Sequence, residues 1–127
     1  MKKIILSAAF AGLFGLTVSL AAVAADSTVL RVLAVQTNDV QGYTREVEAL
    51  QALYRKSGQP VTLRVWRATY AGADTGTIVV TAELPNLAAL AKMVDSMRSS
   101  PEISAEMNKI GGMRKIVSDS LYELLTP

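Results

Sequence analysis

The chain contains no cysteine and no histidine. Without thiols no disulfide can form, so the hydrophobic core and self-association must carry the stability. The missing thiolate and imidazole also remove the usual ligands of zinc, copper and haem iron, and no Asp/Glu group has the spacing of a calcium loop. No metal and no cofactor are therefore expected. Ser-His-Asp and Cys-His catalysis are excluded in those forms. Aromatic residues are scarce too, with one Trp, two Phe and four Tyr in 127 residues. No basic run occurs, which argues against nucleic acid as a partner.

What is present begins with MKKIILSAAFAGLFGLTVSLAAVAADS. Lys2 and Lys3 form a positive start, Ile4 to Leu20 an apolar stretch, and Ala22-Val23-Ala24 or Val23-Ala24-Ala25 a small-x-small cleavage site. Residues 1–25 are thus expected to be a secretory signal peptide, cleaved after Ala24 or Ala25. Ser7, Gly12, Gly15 and Thr17 interrupt the apolar stretch, which ends in small residues rather than charges, so a lasting membrane anchor is not expected. Localisation is then periplasmic or secreted, with one domain over 26–127. The net charge of +2 leaves with Lys2 and Lys3, and the remainder is formally neutral.

Val29 to Gln36, VLRVLAVQ, is β-branched and apolar and predicts a central strand. Thr37, Asn38 and Asp39 can start a helix, in which Tyr43, Val47, Leu50 and Tyr54 recur on one face until Gly58 and Pro60. VTLRVWRATYAG and TIVVTAEL, separated by ADTG, predict an antiparallel hairpin. Asn86 can cap a second helix with Leu87, Leu90, Ala91, Val94 and Met97 on its buried face. Ser100-Pro101-Glu102 breaks and restarts it, Gly111-Gly112 ends it, and KIVSDSLYELL predicts a last strand. The order β-α-β-β-α-β predicts an α+β, ferredoxin-like fold. Its four-stranded antiparallel sheet has the first and third strands central and both helices on one face.

Strand parity then describes the uncovered face. Val61, Leu63 and Val65 suit the helices, leaving Arg64, Trp66 and Tyr70 on the other side. A turn at Gly72 to Thr75 sets Trp66 opposite Thr81, Arg64 opposite Glu83 and Tyr70 opposite Thr77. On the first strand, Leu30, Val32 and Ala34 are assigned to the helices. The open face thus holds Arg31, Leu33, Val35, Arg64, Trp66, Tyr70, Val79 and Glu83, too apolar to be left to water. Pairing of two such faces in a two-fold homodimer is the expected solution.

The element order, and the run LPNLAALAKMVDSMRSSPEISAEMNKI with its Ser-Pro-Glu break, resemble the dimeric α+β barrel superfamily. Within it the chain is most similar to the NIPSNAP-like and antibiotic-biosynthesis-monooxygenase-like branches, over about residues 28 to 126. The resemblance implies sheets paired face to face into a barrel, with cavities under the sheets serving as active sites in the enzymes. Haem-dependent members rely on a histidine that is missing here. Some cofactor-independent monooxygenases use Asn and Trp; Asn38 and Trp66 are of those types but fall in no alignable motif.

Candidate ligand-binding residues on the inner face are Arg31, Arg64, Trp66, Tyr70 and Glu83. Trp66 offers a flat wall to a small apolar or aromatic ligand, or packing area at an interface. Arg31 and Arg64 suit a carboxylate or phenolate, unless an acid such as Glu83 already pairs with them. Acid-base work would fall to Glu83, Asp119 or Tyr70. Met93, Met97, Met107 and Met113 are taken as adaptable filling rather than copper ligands. The expected function is an exported homodimeric binding or accessory module. The alternatives are a cofactor-independent monooxygenase or isomerase acting on a small aromatic or enolisable compound, and a structural dimer with a filled barrel.

Overall fold

A computed structural model describes residues 24–127; the expected signal peptide lies almost wholly outside them. The strands are β1 (Val29–Gln36), β2 (Thr62–Arg67), β3 (Ile78–Leu84) and β4 (Lys115–Glu123). The helices are α1 (Val40–Lys56), α2 (Leu87–Ser99) and α3 (Pro101–Gly111). The antiparallel sheet has the order β2-β3-β1-β4, with β1 and β3 in the middle as expected. No helix among the described residues is long and apolar enough to cross a membrane.

Each helix starts where a short polar side chain meets its free amides. The Gly42 N–H donates to Asp39 Oδ1 at 2.9 Å and the Ala89 N–H to Asn86 Oδ1 at 2.8 Å. Ser100 ends α2 and caps α3 through the Ile103 N–H at 3.4 Å, while Pro101 fills a first-turn position needing no donor. Past α1, Gly58 has φ of 73°, which lets its N–H reach the Arg55 carbonyl and the Gln59 N–H reach that of Tyr54, at 3.0 Å each.

The apolar stripe of α1 is buried as its spacing predicts: Tyr43, Val47, Leu50 and Tyr54. On α2 the buried residues are Leu90, Met93 and Ser96, whereas Ala91 is exposed. The helix is rotated so that Met93, rather than the small Ala91, reaches the core. Leu90 and Ile110 are fully buried, each worth about 1.5–3 kcal/mol on the transfer scale.

Two expectations about the sheet are corrected. Val29, Leu33 and Val35 of β1 are buried under the helices, so Leu30, Val32 and Ala34 take the open face. Both sets of β1 are apolar, and the charge of Arg31 suggested the wrong side; Asp119 of β4 supplies the carboxylate that lets Arg31 lie beneath the helices. The hairpin register is also two residues from the expected one. Trp66 pairs with Val79, Arg64 with Thr81 and Thr62 with Glu83. The connection is wide rather than tight, with a 3₁₀ turn at Gly72–Asp74 and positive φ at Gly72 and Gly76. Its neck is closed by the Ala68 N–H on the Thr77 carbonyl at 2.9 Å. An even shift preserves the side-chain faces, so β2 and β3 present the faces expected of them.

The outer edge of β2 is partly occupied. The buried Gln51 of α1 accepts from the Leu63 N–H and donates to the Val61 carbonyl at 3.0 Å. Its side-chain amide thereby does for β2 what a neighbouring strand would do.

Candidate functional site

Between the helices and the sheet lies a half-open cavity of about 190 Å³. From above it is lined by Val47, Leu50 and Tyr54 of α1, Met93 and Met97 of α2, and Met107 and Ile110 of α3. From below, Leu33, Leu63, Val80, Ala82 and Ile116 complete an apolar surface. Three of these walls are methionine, whose unbranched thioether adapts to the shape of whatever it packs against. Ile116 is about half exposed, which puts an opening near the start of β4.

Two guanidinium groups also line the cavity, Arg31 and Arg114. Arg31 grips Asp119 with both ends of one edge, Nε to Oδ1 at 3.0 Å and Nη2 to Oδ2 at 2.7 Å. The pair is diagonal across β1 and β4, since Arg31 lies opposite Leu121 and Asp119 opposite Leu33. Side-chain exposures of 11% and 17% make it a largely desolvated, charge-assisted contact. Nearby, burial pushes the Tyr54 phenol up to about 12, with the positive charge of Arg31 pulling weakly the other way. Tyr54 therefore stays protonated at neutral pH and cannot serve there as a base.

Arg114 belongs to the short connection between α3 and β4. Its Nη1 donates to the hydroxyl of the fully buried Tyr43 at 2.8 Å, with the guanidinium carbon 6.0 Å from that ring's centre. Tyr43 thus fixes the arginine by a hydrogen bond and a weak cation–π contact.

The five residues expected to share an inner face are not brought together. Arg64, Trp66 and Glu83 do lie on the open face of the sheet. There Arg64 Nη1 is 3.7 Å from Glu83 Oε1, and Trp66 Nε1 donates to Thr81 Oγ1 at 2.9 Å. Both contacts are diagonal consequences of the corrected register. Tyr70 lies beyond the end of β2 and is 99% exposed, so it is on no strand face. Arg31 is on the opposite, helix-covered side. Leu30, Val32 and Val79 are half-buried on the open face, joined by the exposed Trp66 and Tyr122. A further concavity of about 600 Å³ runs between α1 and the β2 edge, bounded by Glu48, Arg55, Arg64 and Trp66.

At the α1–α3 interface Glu46 and Glu106 form a carboxyl pair. Burial, then the hydrogen bond and charge of Glu46, raise Glu106 above its usual range. Hydrogen bonds from Glu106 and Lys109 lower Glu46, and Lys109 Nζ stands 3.2 Å from it. Among the described residues no three His, Cys, Asp or Glu side chains gather as metal ligands would.

Sequence reasoning missed Arg114, Tyr43 and Tyr54 as site residues. The tyrosines stood out only as members of an apolar stripe, and Arg114 carried no local signal. Its partner Tyr43 is 71 positions away.

No protein-family model matches the sequence, and no curated protein matches it. Solved structures do share the fold. A conserved protein of unknown function from Bacteroides thetaiotaomicron, described as a possible oxidoreductase, has a TM-score of 0.58 at 12% identity, covering 79% of this chain and 100% of its own. SnoaB, a cofactor-independent oxygenase from Streptomyces nogalater whose structure is that of a mutant, has a TM-score of 0.56 at 12% identity, covering 81% and 97%. At this identity the likeness is one of architecture. It is the ferredoxin-like α+β fold expected from the element order.

Proposed function

We propose that the protein is an exported, homodimeric module that holds a small apolar or aromatic molecule between its sheet and its helices. The observation that carries this reading is the cavity itself, about 190 Å³ with a mainly apolar lining and two arginines. An engineered apolar cavity of about 150 Å³ accepts benzene, so the volume suits a compound of one ring. The site lies beneath the helices rather than between paired sheets. Pairing of the open faces is a separate matter, supported by the apolar side chains of Leu30, Val32, Val79 and Trp66 there. Export rests on the sequence of the first 25 residues.

The second reading is a cofactor-independent oxygenase or isomerase, which the shared architecture with SnoaB favours. Of its candidate acid-base groups, Glu83 and Tyr70 lie away from the cavity, and Asp119 is engaged by Arg31. Binding without turnover is therefore the better supported of the two. Of Leu33, Trp66 and Tyr70, which a filled barrel would pack between the sheets, Leu33 is under the helices and Tyr70 is in solvent, while Trp66 lies on the open face.

Native mass spectrometry of protein recovered from the periplasm tests the proposal. A dimer with excess mass released on denaturation supports it. A clean monomer removes both the dimer and the resident ligand. Trp66→Ala separates the two faces: it should weaken the dimer and leave ligand retention unchanged.

A further inference from the structure

The two arginines of the cavity are in different states of charge compensation. Arg31 meets Asp119 through its Nε–Nη2 edge. Arg114 uses Nη1 on a neutral phenol, and its Nε is buried without a hydrogen-bond partner. Among the described residues no carboxylate stands within 4.0 Å of Arg114. Buried donors are rarely left unmatched in native proteins, and a guanidinium edge is shaped to take two oxygens of a planar anion. Tyr43 holds the group in place, so the uncompensated guanidinium is oriented before anything binds.

From this we infer that the ligand of the cavity is a small monocarboxylate with an apolar, ring-sized tail. The inference rests on the cavity being the binding site. The carboxylate compensates the guanidinium charge of Arg114, as Asp119 compensates that of Arg31, and the tail lies among Met93, Met97 and Met107. The methionines can mould to either an aromatic or a branched aliphatic tail, so charge at one end is the defining feature. Arg31 adds no second anion site, because its carboxylate is already in place.

The experiment uses benzoate and its neutral isostere benzamide as probes. Binding is followed on the full chain by the ¹³C-methyl NMR signals of its methionines. Benzoate is expected to shift the Met93, Met97 and Met107 methyls and to bind about tenfold or more tightly than benzamide, as a charge-assisted contact requires. Arg114→Gln should erase that preference and Arg114→Lys should keep part of it, while Arg64→Gln on the open face should change nothing. Equal binding of both probes at the same methyls overturns the anion inference and leaves the cavity reading standing. Neither probe shifting those methyls overturns both. The comparison on unaltered protein decides the matter even if an Arg114 variant fails to fold.

Discussion

Asp119→Ala removes the carboxylate that lets Arg31 lie under the helices. Breaking a buried ion pair from one side costs about 3–5 kcal/mol, because the remaining charge stays desolvated. The side chains retain 11% and 17% exposure, and β4 is an edge strand, so some water can follow the cavity created. We therefore expect a loss of about 2–3 kcal/mol. For a domain of this size that is a large share of total stability. With a urea m-value of roughly 1–1.5 kcal/mol/M, the unfolding midpoint should fall by about 2 M at unchanged slope. Arg31→Met should cost less, since Asp119 is nearer the edge and better able to recruit water. The double variant Arg31→Met/Asp119→Leu removes both desolvation penalties and should lie within about 1 kcal/mol of the parent. The double-mutant cycle, with Asp119→Leu as its second single variant, should then show a coupling of about 2 kcal/mol or more. Additive single effects, with coupling below about 0.5 kcal/mol, would refute the claim that this contact holds β4 against β1 as a desolvated pair.

Other expectations are simpler to check. The folded state holds the Tyr54 proton more tightly than the unfolded chain does. The stability this gives is whole below 10.0, the ordinary value, and is lost as pH rises towards about 12. That loss amounts to about 2–3 kcal/mol, and urea unfolding of Tyr54→Phe at alkaline pH should lack it. Glu106, raised in the folded state, favours folding while protonated and withdraws that stability as pH rises above its usual range. Glu106→Gln should therefore melt higher than the parent at neutral pH, with the difference vanishing in acid where both are uncharged. Gln51→Ala strips the partners from the Val61 carbonyl and the Leu63 N–H, at a cost of about 2–3 kcal/mol. Faster amide exchange at Leu63 would be its local signature.

Local signals were sufficient for the elements and their order. The spacing of Tyr43, Val47, Leu50 and Tyr54, the caps at Asp39, Asn86 and Ser100, and the breaks at Gly58 and Pro101 all act within a few residues of themselves. The faces of β1 were not legible, because a central strand is apolar on both sides and parity then has nothing to distinguish. Arg31 misled for a related reason: a charge reads as exposed until its partner is known, and Asp119 is 88 positions away. The hairpin register failed over Gly72 and Gly76, since either a tight or a wide loop can be drawn through such glycines. The cavity was the least legible feature. It is a volume that no side chain fills, and no single residue type announces it.

The sheet's two edges differ, and the difference bears on stoichiometry. In the language of polymer chemistry, a protomer with two open strand edges is a bifunctional monomer that extends without limit. Here the outer edge of β2 begins with a rung already taken by the Gln51 amide, and Arg64 and Arg67 add exposed charge beside it. β4, at the other end of the sheet, has the exposed Lys115 at its start but no side-chain amide on its edge among the described residues, and it carries the exposed Val117 and Tyr122. The β4 edge is thus the less blocked of the two against strand addition. A second copy added at that edge would leave only the partly blocked β2 edges facing outward, so strand-to-strand growth would stop at a pair instead of a fibre.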